Sequence, residues 1–461
     1  MSLNKTLSPP QPVLSESPLE QRTAPALALA AALLGSALIT LDASIVNVAL
    51  PAIGSGLGGG LRGLQWVVDA YTLPFAALML STGAFADRAG ASRAYGIGIA
   101  VFTLASAACG FAPNLAVLTA ARVAQGAAAA VVLPASLSLV REAYADAARR
   151  ARAVAVWAAG GSTALALGPV AGGALTTAWG WRGIFFVNLP VGAVALVLLL
   201  RAPRSTRRPA PLDLPGQTAA ALALTGVTFA VIEGGTTGMV ALAVAVVAAA
   251  VFVRVETRRA HPVVPLGMFR DRAVRAAVAA GAACSVAFYG VLFVFSLFFQ
   301  QVQGRSALYA GLMFLPMTGV IAVTNLVSGK LTGRYGPRVP MTAGLALSVV
   351  GVLGLLGVGT STPTVAAALL LVPLALGCAL AIPALTAVML DAVPAGRSGL
   401  AAGVLNAARQ VSGGLGIAVF GALMAGGFVT GLRMGLAVCV AALLVALALS
   451  FRLAGRPATG V

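Results

Sequence analysis

Charge is what this sequence lacks. Only 9% of its 461 residues are Asp, Glu, Lys or Arg, against about a quarter in soluble domains. So few charges cannot solvate a chain of this length, and most of its surface must face lipid. No long polar block is present to build a separate soluble domain. Histidine is nearly missing too: His261 stands alone, in a polar stretch beside Pro262, which excludes a His-based catalytic or metal cluster. Cys109, Cys284, Cys378 and Cys439 each sit singly in an apolar run. That excludes a disulfide framework or metal-ligand spacing and leaves them as small core residues. There is no Ser/His/Asp grouping, no paired carboxylates and no ring of like charge, so neither a membrane-embedded enzyme nor a channel finds its chemistry here. No metal or cofactor is expected.

What the chain has instead is apolar length. Hydrophobic residues make up 59% of it, and its mean hydropathy is +0.98. A helix crosses a bilayer with about 20 mostly apolar residues, and about fourteen stretches qualify. The expected fold class is an all-α polytopic membrane protein of two six-helix bundles plus two extra helices. Residues 1–24 contain Ser and Pro, lack a signal-peptide core, and read as a disordered cytoplasmic tail. The first bundle takes 25–201, and a linker with two additional helices takes 202–272. The second bundle takes 273–455, and 456–461 form a second cytoplasmic tail.

The net charge of +18 invites a nucleic-acid reading, but its placement argues against one. With the N-terminus inside, twenty-four of the 30 Lys and Arg fall on the inner side. Arg62, Arg182, Arg305 and Arg433 fall outside, and Arg122 and Arg409 lie within helices. That bias puts both termini in the cytoplasm and the chain in the cell membrane. The excess charge then serves topology and membrane lipid rather than nucleic acid.

The chain also repeats itself. GAFADRAGASR (83–93) follows the second helix and GKLTGRYGPR (329–338) follows the tenth. Both open on Gly, with Arg sixth and Gly eighth. If the seventh and eighth helices are an insertion, each loop falls between the second and third helices of its own bundle. Two parallel halves around a midplane site is a transporter architecture.

Six stretches in order carry a resemblance. They are LDASIVNVALP (41–51), GAFADRAGASR, ARVAQGAAAA (121–130), GGSTALALGPVAGGAL (160–175), WGWRGIFFVNLPVG (179–192) and GLAAGVLNAARQVSGGLG (399–416). Together the chain resembles the 14-helix drug:proton antiporter family of the major facilitator superfamily, over nearly all of 25–455. The resemblance implies a proton-coupled exporter of small lipophilic or cationic compounds, working by alternating access and driven by the proton gradient. The alternative is a dedicated exporter of one natural product, metabolite or siderophore. A monomer is expected, with a small molecule and protons as its partners.

The resemblance assigns Gly83, Asp87, Arg88, Gly90 and Arg93 to a conformational gate. Read physically, Asp87 could cap a helix of the other half near Ser398 and Gly399, or be a solvated turn residue. Ala91 and Ser92 stand where basic residues are common, and Gly333 replaces the acid in the second copy. Gly168 and Gly172 share a helix face and Pro169 bends that helix. With Gly173 they are the expected antiporter motif, a close contact between the halves or plain helix packing.

Asp42 interrupts an apolar run nine residues before Pro51, about 13–14 Å deep, and Arg122 lies eight residues past Asn114, about 12 Å deep. A lone carboxylate in hydrocarbon costs several kcal/mol unless protonated or paired. Burial favours its neutral form and a nearby guanidinium its charged form. That opposition suits a proton-coupling pair, and the alternative is a static ion pair. The resemblance adds that first-helix acids and fourth-helix arginines take part in coupling. Asp69, Arg409, Asn47 and Gln125 are candidates for substrate contact or an outer vestibule. Asp69 lies about 7–8 Å from the outer end of its helix, and Arg409 about 15 Å deep. Arg409 has three open roles: binding substrate, pairing with Asp42, or bonding carbonyls. Glu233 reads as interfacial. Trp66, Tyr71, Trp179 and Trp181 read as an aromatic belt.

Overall fold

The computed structural model describes residues 18–202, 205, 214–259, 264, 266–393 and 398–452. These form α1 (Pro18–Leu57), α2 (Gly60–Ala89), α3 (Ala91–Gly110), α4 (Leu115–Ala143), α5 (Ala147–Trp179), α6 (Gly183–Phe186) and α7 (Asn188–Leu200). Next come α8 (Leu214–Glu233) and α9 (Gly235–Arg258). The second half holds α10 (Arg272–Leu297), α11 (Ala307–Met313), α12 (Leu315–Tyr335), α13 (Arg338–Leu355), α14 (Thr364–Leu370), α15 (Val372–Asp391), α16 (Ser398–Met424) and α17 (Phe428–Phe451). No strand occurs among the described residues. The first helix starts at Pro18, inside the expected tail, because proline suits a first helical turn and Leu-Glu-Gln continues it. Residues 1–17 and 456–461, like His261, lie outside the described residues.

Three spans are interrupted, α6–α7, α11–α12 and α14–α15, and each gap precedes Pro190, Pro316 or Pro373 by two or three residues. Proline has no N–H for the carbonyl four residues back, so the ladder fails there. Across the α11–α12 break the axis turns by 43°. Asn114, Asp146, Asp271 and Ser306 close other helix starts by accepting from the first free backbone N–H groups. Among the described residues twelve helices are long and apolar enough to cross a membrane, thirteen with the bent pair. Against the fourteen expected, α2 is not among these, though at 30 residues it is about 45 Å long.

The helix pairings repeat between the halves. α1 packs on α5, α2 and α3 on α4, and α7 on α1 and α3. In the second half α10 packs on α16, α12 and α13 on α15, and α17 on α10 and α13. Span for span this is the same arrangement, so the loop repeat in the sequence reflects a repeated bundle. α8 leaves that scheme: it packs on α9 and lies against α2 of one half and α16 of the other. α9 turns Val244, Val246 and Val247 outward, each more than half exposed, as a lipid-facing helix does. The described termini lie on one face, here called the terminal face. The α1–α2 and α3–α4 connections lie on the opposite, far face.

The two bundles are sealed together toward the far face. The Gln65 amide donates to the Ala418 carbonyl at 2.8 Å. The Ser296 hydroxyl donates to the Asn47 carbonyl at 2.7 Å, and the Gln300 amide to the Val48 carbonyl at 2.9 Å. A Cβ on Gly311 would run into the Pro169 carbonyl, and one on Gly173 into the Ala307 carbonyl. Backbone therefore meets backbone across this seam.

Candidate functional site

Asp42 on α1 and Arg122 on α4 sit at matching depth and meet. Both are shut off from solvent, 0% and 1% exposed, with Nη1 2.5 Å from Oδ2. A buried ion pair is costly unless its remaining groups are bonded, and here they are. Asp42 Oδ1 accepts from Asn188 Nδ2 at 2.9 Å and Gln125 Nε2 at 3.4 Å. Arg122 Nε donates to the Val67 carbonyl of α2 at 3.1 Å, and Nη1 also reaches Gln125 Oε1 at 3.1 Å. The guanidinium carbon lies 4.3 Å from the centre of the Tyr71 ring, a cation–π contact. Ser106 Oγ accepts from both amides, Asn188 at 2.9 Å and Gln125 at 3.1 Å, and donates to the Phe185 carbonyl.

Local sequence makes this possible. A Cβ on Gly126 would strike the Tyr71 carbonyl, so glycine there lets α4 close on α2 and brings Val67 within reach of Arg122. The arrangement joins α1, α4, α7 and α2 through one carboxylate. Protonating that carboxylate removes the charge that holds Arg122, and Arg122 in turn holds α2.

Other candidates land elsewhere. Gln125 belongs to the pair's shell rather than to a vestibule. The Asn47 amide donates to the Ala43 and Ser44 carbonyls and borders a crevice of about 10 Å³ with Tyr71, Thr72, Tyr289 and Gly414, room for about one water. Asp69 is 0% exposed in this conformation, because α2 closes on α16 above it. Its Oδ1 accepts from Thr72 at 3.3 Å, it faces Gly414, and its Oδ2 has no partner. Arg409 does not pair with Asp42, which Arg122 occupies. Its Nη1 donates to Asn406 at 3.4 Å, and it borders a cavity of about 220 Å³ between α5 and the second bundle.

The glycine motif divides its work. Gly168 and Gly172 face Ser44 and Ile45 of α1, so they pack within their own bundle and not across the halves. Gly173 and the Pro169 carbonyl make the contact with α11. In the loop motif, the side chain of Asp87 and residue Gly83 lie outside the described residues, and so does the expected latch. Arg88 and Arg93 are exposed. Gly90 takes φ +86, a value that favours glycine, and Ser205 docks beside it. Ser92 and Ser205 exchange two backbone-to-hydroxyl bonds of 3.0 Å. Of the aromatic belt, Trp179 is 73% exposed, while Tyr71 and Trp181 are buried, Tyr71 beneath Arg122. The Trp66 indole donates to Glu233 at 3.1 Å, and Arg62 pairs with Glu233 at 3.6 Å, which ties α8 to α2.

Asn188 and Ser106 are site residues that sequence reading missed. Each left a signal, as a polar side chain inside an apolar span. Asn188→Ala removes one hydrogen bond to a charged group, worth about 1.5–3 kcal/mol. The purified variant should melt at a lower temperature in detergent. An unchanged midpoint would mean that Asn188 does not support the pair.

The Major Facilitator Superfamily profile matches residues 32–417. The multidrug resistance protein Stp of Mycobacterium tuberculosis is 42% identical over 410 residues, covering 87% of this chain and 76% of Stp. A methylenomycin A resistance protein of Streptomyces coelicolor is 37% identical over 397 residues, covering 85% of this chain and 84% of its own. Among solved structures, a bacterial homolog of the human lysosomal transporter Spinster, inward-facing and unoccupied, superposes with TM-score 0.69. The match covers 96% of this chain and 100% of that one at 18% identity. With its repeated bundles, its matching profile and relatives this similar, the chain is a multi-pass membrane transporter and belongs to the major facilitator superfamily.

Proposed function

We propose that the protein exports small lipophilic or cationic compounds in exchange for protons, by alternating access between its two bundles. The observation that carries this reading is the Asp42–Arg122 pair, a titratable group sealed at mid-depth and bonded through Arg122 to α2. The same helix closes the far-face seam through Gln65. A proton on Asp42 loosens Arg122, α2 shifts against α16, and the seam gives way. The far face is the extracellular one by the charge bias, and both termini are cytoplasmic. The chain works as a monomer, with 25–201 and 273–455 as its rocking units and α8 and α9 as an addition between them. Similarity to Stp, named for multidrug resistance, favours a broad substrate range. The methylenomycin A resistance relatives favour a narrower one. Purified protein in liposomes tests the reading. An imposed pH gradient should drive accumulation of a lipophilic dye well above that in protein-free liposomes. Collapsing the gradient should end it. Accumulation indifferent to the gradient would rule out proton exchange.

A further inference from the structure

Arg409 sits unpaired in the mid-membrane cavity. That cavity is bounded by Ser162 of α5, Cys284 and Tyr289 of α10, Asn325 of α12, Cys378 of α15 and Arg409 of α16. Among the described residues Arg409 is the only charged side chain on its wall, and no carboxylate borders it. Its one intrachain hydrogen bond is a long one to Asn406, on the same helix. Its Nε is buried without a partner. Neither the Arg62–Glu233 pair nor the Arg122–Asp42 pair involves Arg409. The aliphatic stem is held in place: a Cβ on Gly281 would lie 3.1 Å from Arg409 Cγ, so α10 leaves just the room the stem fills. A cation kept this deep in a membrane protein costs free energy until an anion or strong acceptor joins it.

We infer that this cavity binds the exported compound and selects, through Arg409, for an apolar body carrying a carboxylate or similar anionic group. The inference rests on the export reading above and, of the substrates it allows, keeps the lipophilic ones, adds an anionic group to them, and sets the cationic ones aside. A planar guanidinium that offers its two terminal nitrogens matches a carboxylate with two parallel bonds. The Ser162 hydroxyl and the Asn325 amide stand on the same wall to complete its shell. Phe288, Tyr289, Ile321 and Ile382 offer the apolar surface that a lipophilic body needs. A cation in the same place would face Arg409 with no acid to offset it.

The test is direct binding, which does not depend on transport. Purified full-length protein in detergent is titrated calorimetrically with 1-naphthoate, its uncharged amide, and 1-naphthylmethylammonium. Naphthoate should bind about ten- to a hundredfold more tightly than the amide, as a charged hydrogen bond gained in a buried site would give. The ammonium compound should bind weakest. Arg409→Gln should erase the preference for naphthoate, and Arg409→Lys should keep part of it. Arg409→Gln removes an unpaired charge, so it should elute and melt as a folded protein, and the lysine variant gives the same answer with the charge retained. Equal binding of the three compounds, or an undiminished preference in Arg409→Gln, would overturn the inference. If naphthoate binds through Arg409 but no pH gradient drives any compound, the export reading fails and the binding site stands. If the gradient drives other compounds while naphthoate shows no preference, the reverse holds.

Discussion

Asp42→Asn should abolish gradient-driven export, reducing it to the level of protein-free liposomes, while downhill exchange of substrate continues. The substitution keeps size and hydrogen-bonding capacity but removes the charge that Arg122 faces at 2.5 Å. It also removes the group proposed to carry the proton. Stability is affected as well. Stranding one partner of a buried pair costs about 3–5 kcal/mol, softened here because Arg122 keeps the Val67 carbonyl, Gln125 and the Tyr71 ring. Asp42→Asn/Arg122→Gln, which strands no charge, should be the more stable of the two variants and equally uncoupled. Normal export by either variant under a pH gradient would make the pair structural. The coupling acid would then be sought at Asp69, the other fully buried carboxylate among the described residues of α1 and α2.

Gly311→Leu should shift the protein toward a state open at the far face. Gly311 lies on the Pro169 carbonyl, where even a Cβ has no room. A leucine must push α11 away from α5. Overpacking typically costs about 1–3 kcal/mol, and in a two-state protein that moves the populations by about 5- to 150-fold. The clash exists only while the seam is closed, so it acts on one state. Spin labels at Ser55 and Ser361, exposed positions on the far side of the two halves, should report a longer distance in the variant, and export should fall. An unchanged distance distribution would mean that this contact does not hold the seam.

The sequence disclosed depth better than direction. The fixed rise of a helix placed Asp42 and Arg122 at one level, and the halves that repeat in the loops repeat in the packing. That Asp42 and Arg122 share a bundle follows from the repeat, and the structure joins them. Which way a side chain turns is another matter. Gly168 and Gly172 share a face, but periodicity cannot say that the neighbour on that face is α1. Asp69 lies near a helix end in chain order, and nothing local shows that α16 covers it. Tyr71 has the position of a belt residue and the role of a floor for Arg122. The helix breaks were not legible in the sequence: they precede Pro190, Pro316 and Pro373, yet Pro51, Pro134 and Pro169 lie inside unbroken helices. Closure of the far face rests on contacts such as Gln65 to Ala418, hundreds of residues apart in the chain, and local pattern carries no trace of them.

The position of α8 has a consequence for how a fat-soluble molecule gets in. It lies across the α2–α16 seam and is fastened to α2 by Trp66 and Arg62. On the opposite side α5 meets α11 and α12 directly, and among the described residues no helix packs comparably over that line. Under the proposed rocking both seams would loosen together, and the α5–α12 line is the one without an added helix. A compound dissolved in the leaflet would then enter there, between edges that carry Ser162, Leu165, Ile321 and Asn325 of the cavity wall. The added helices make a symmetric machine one-sided.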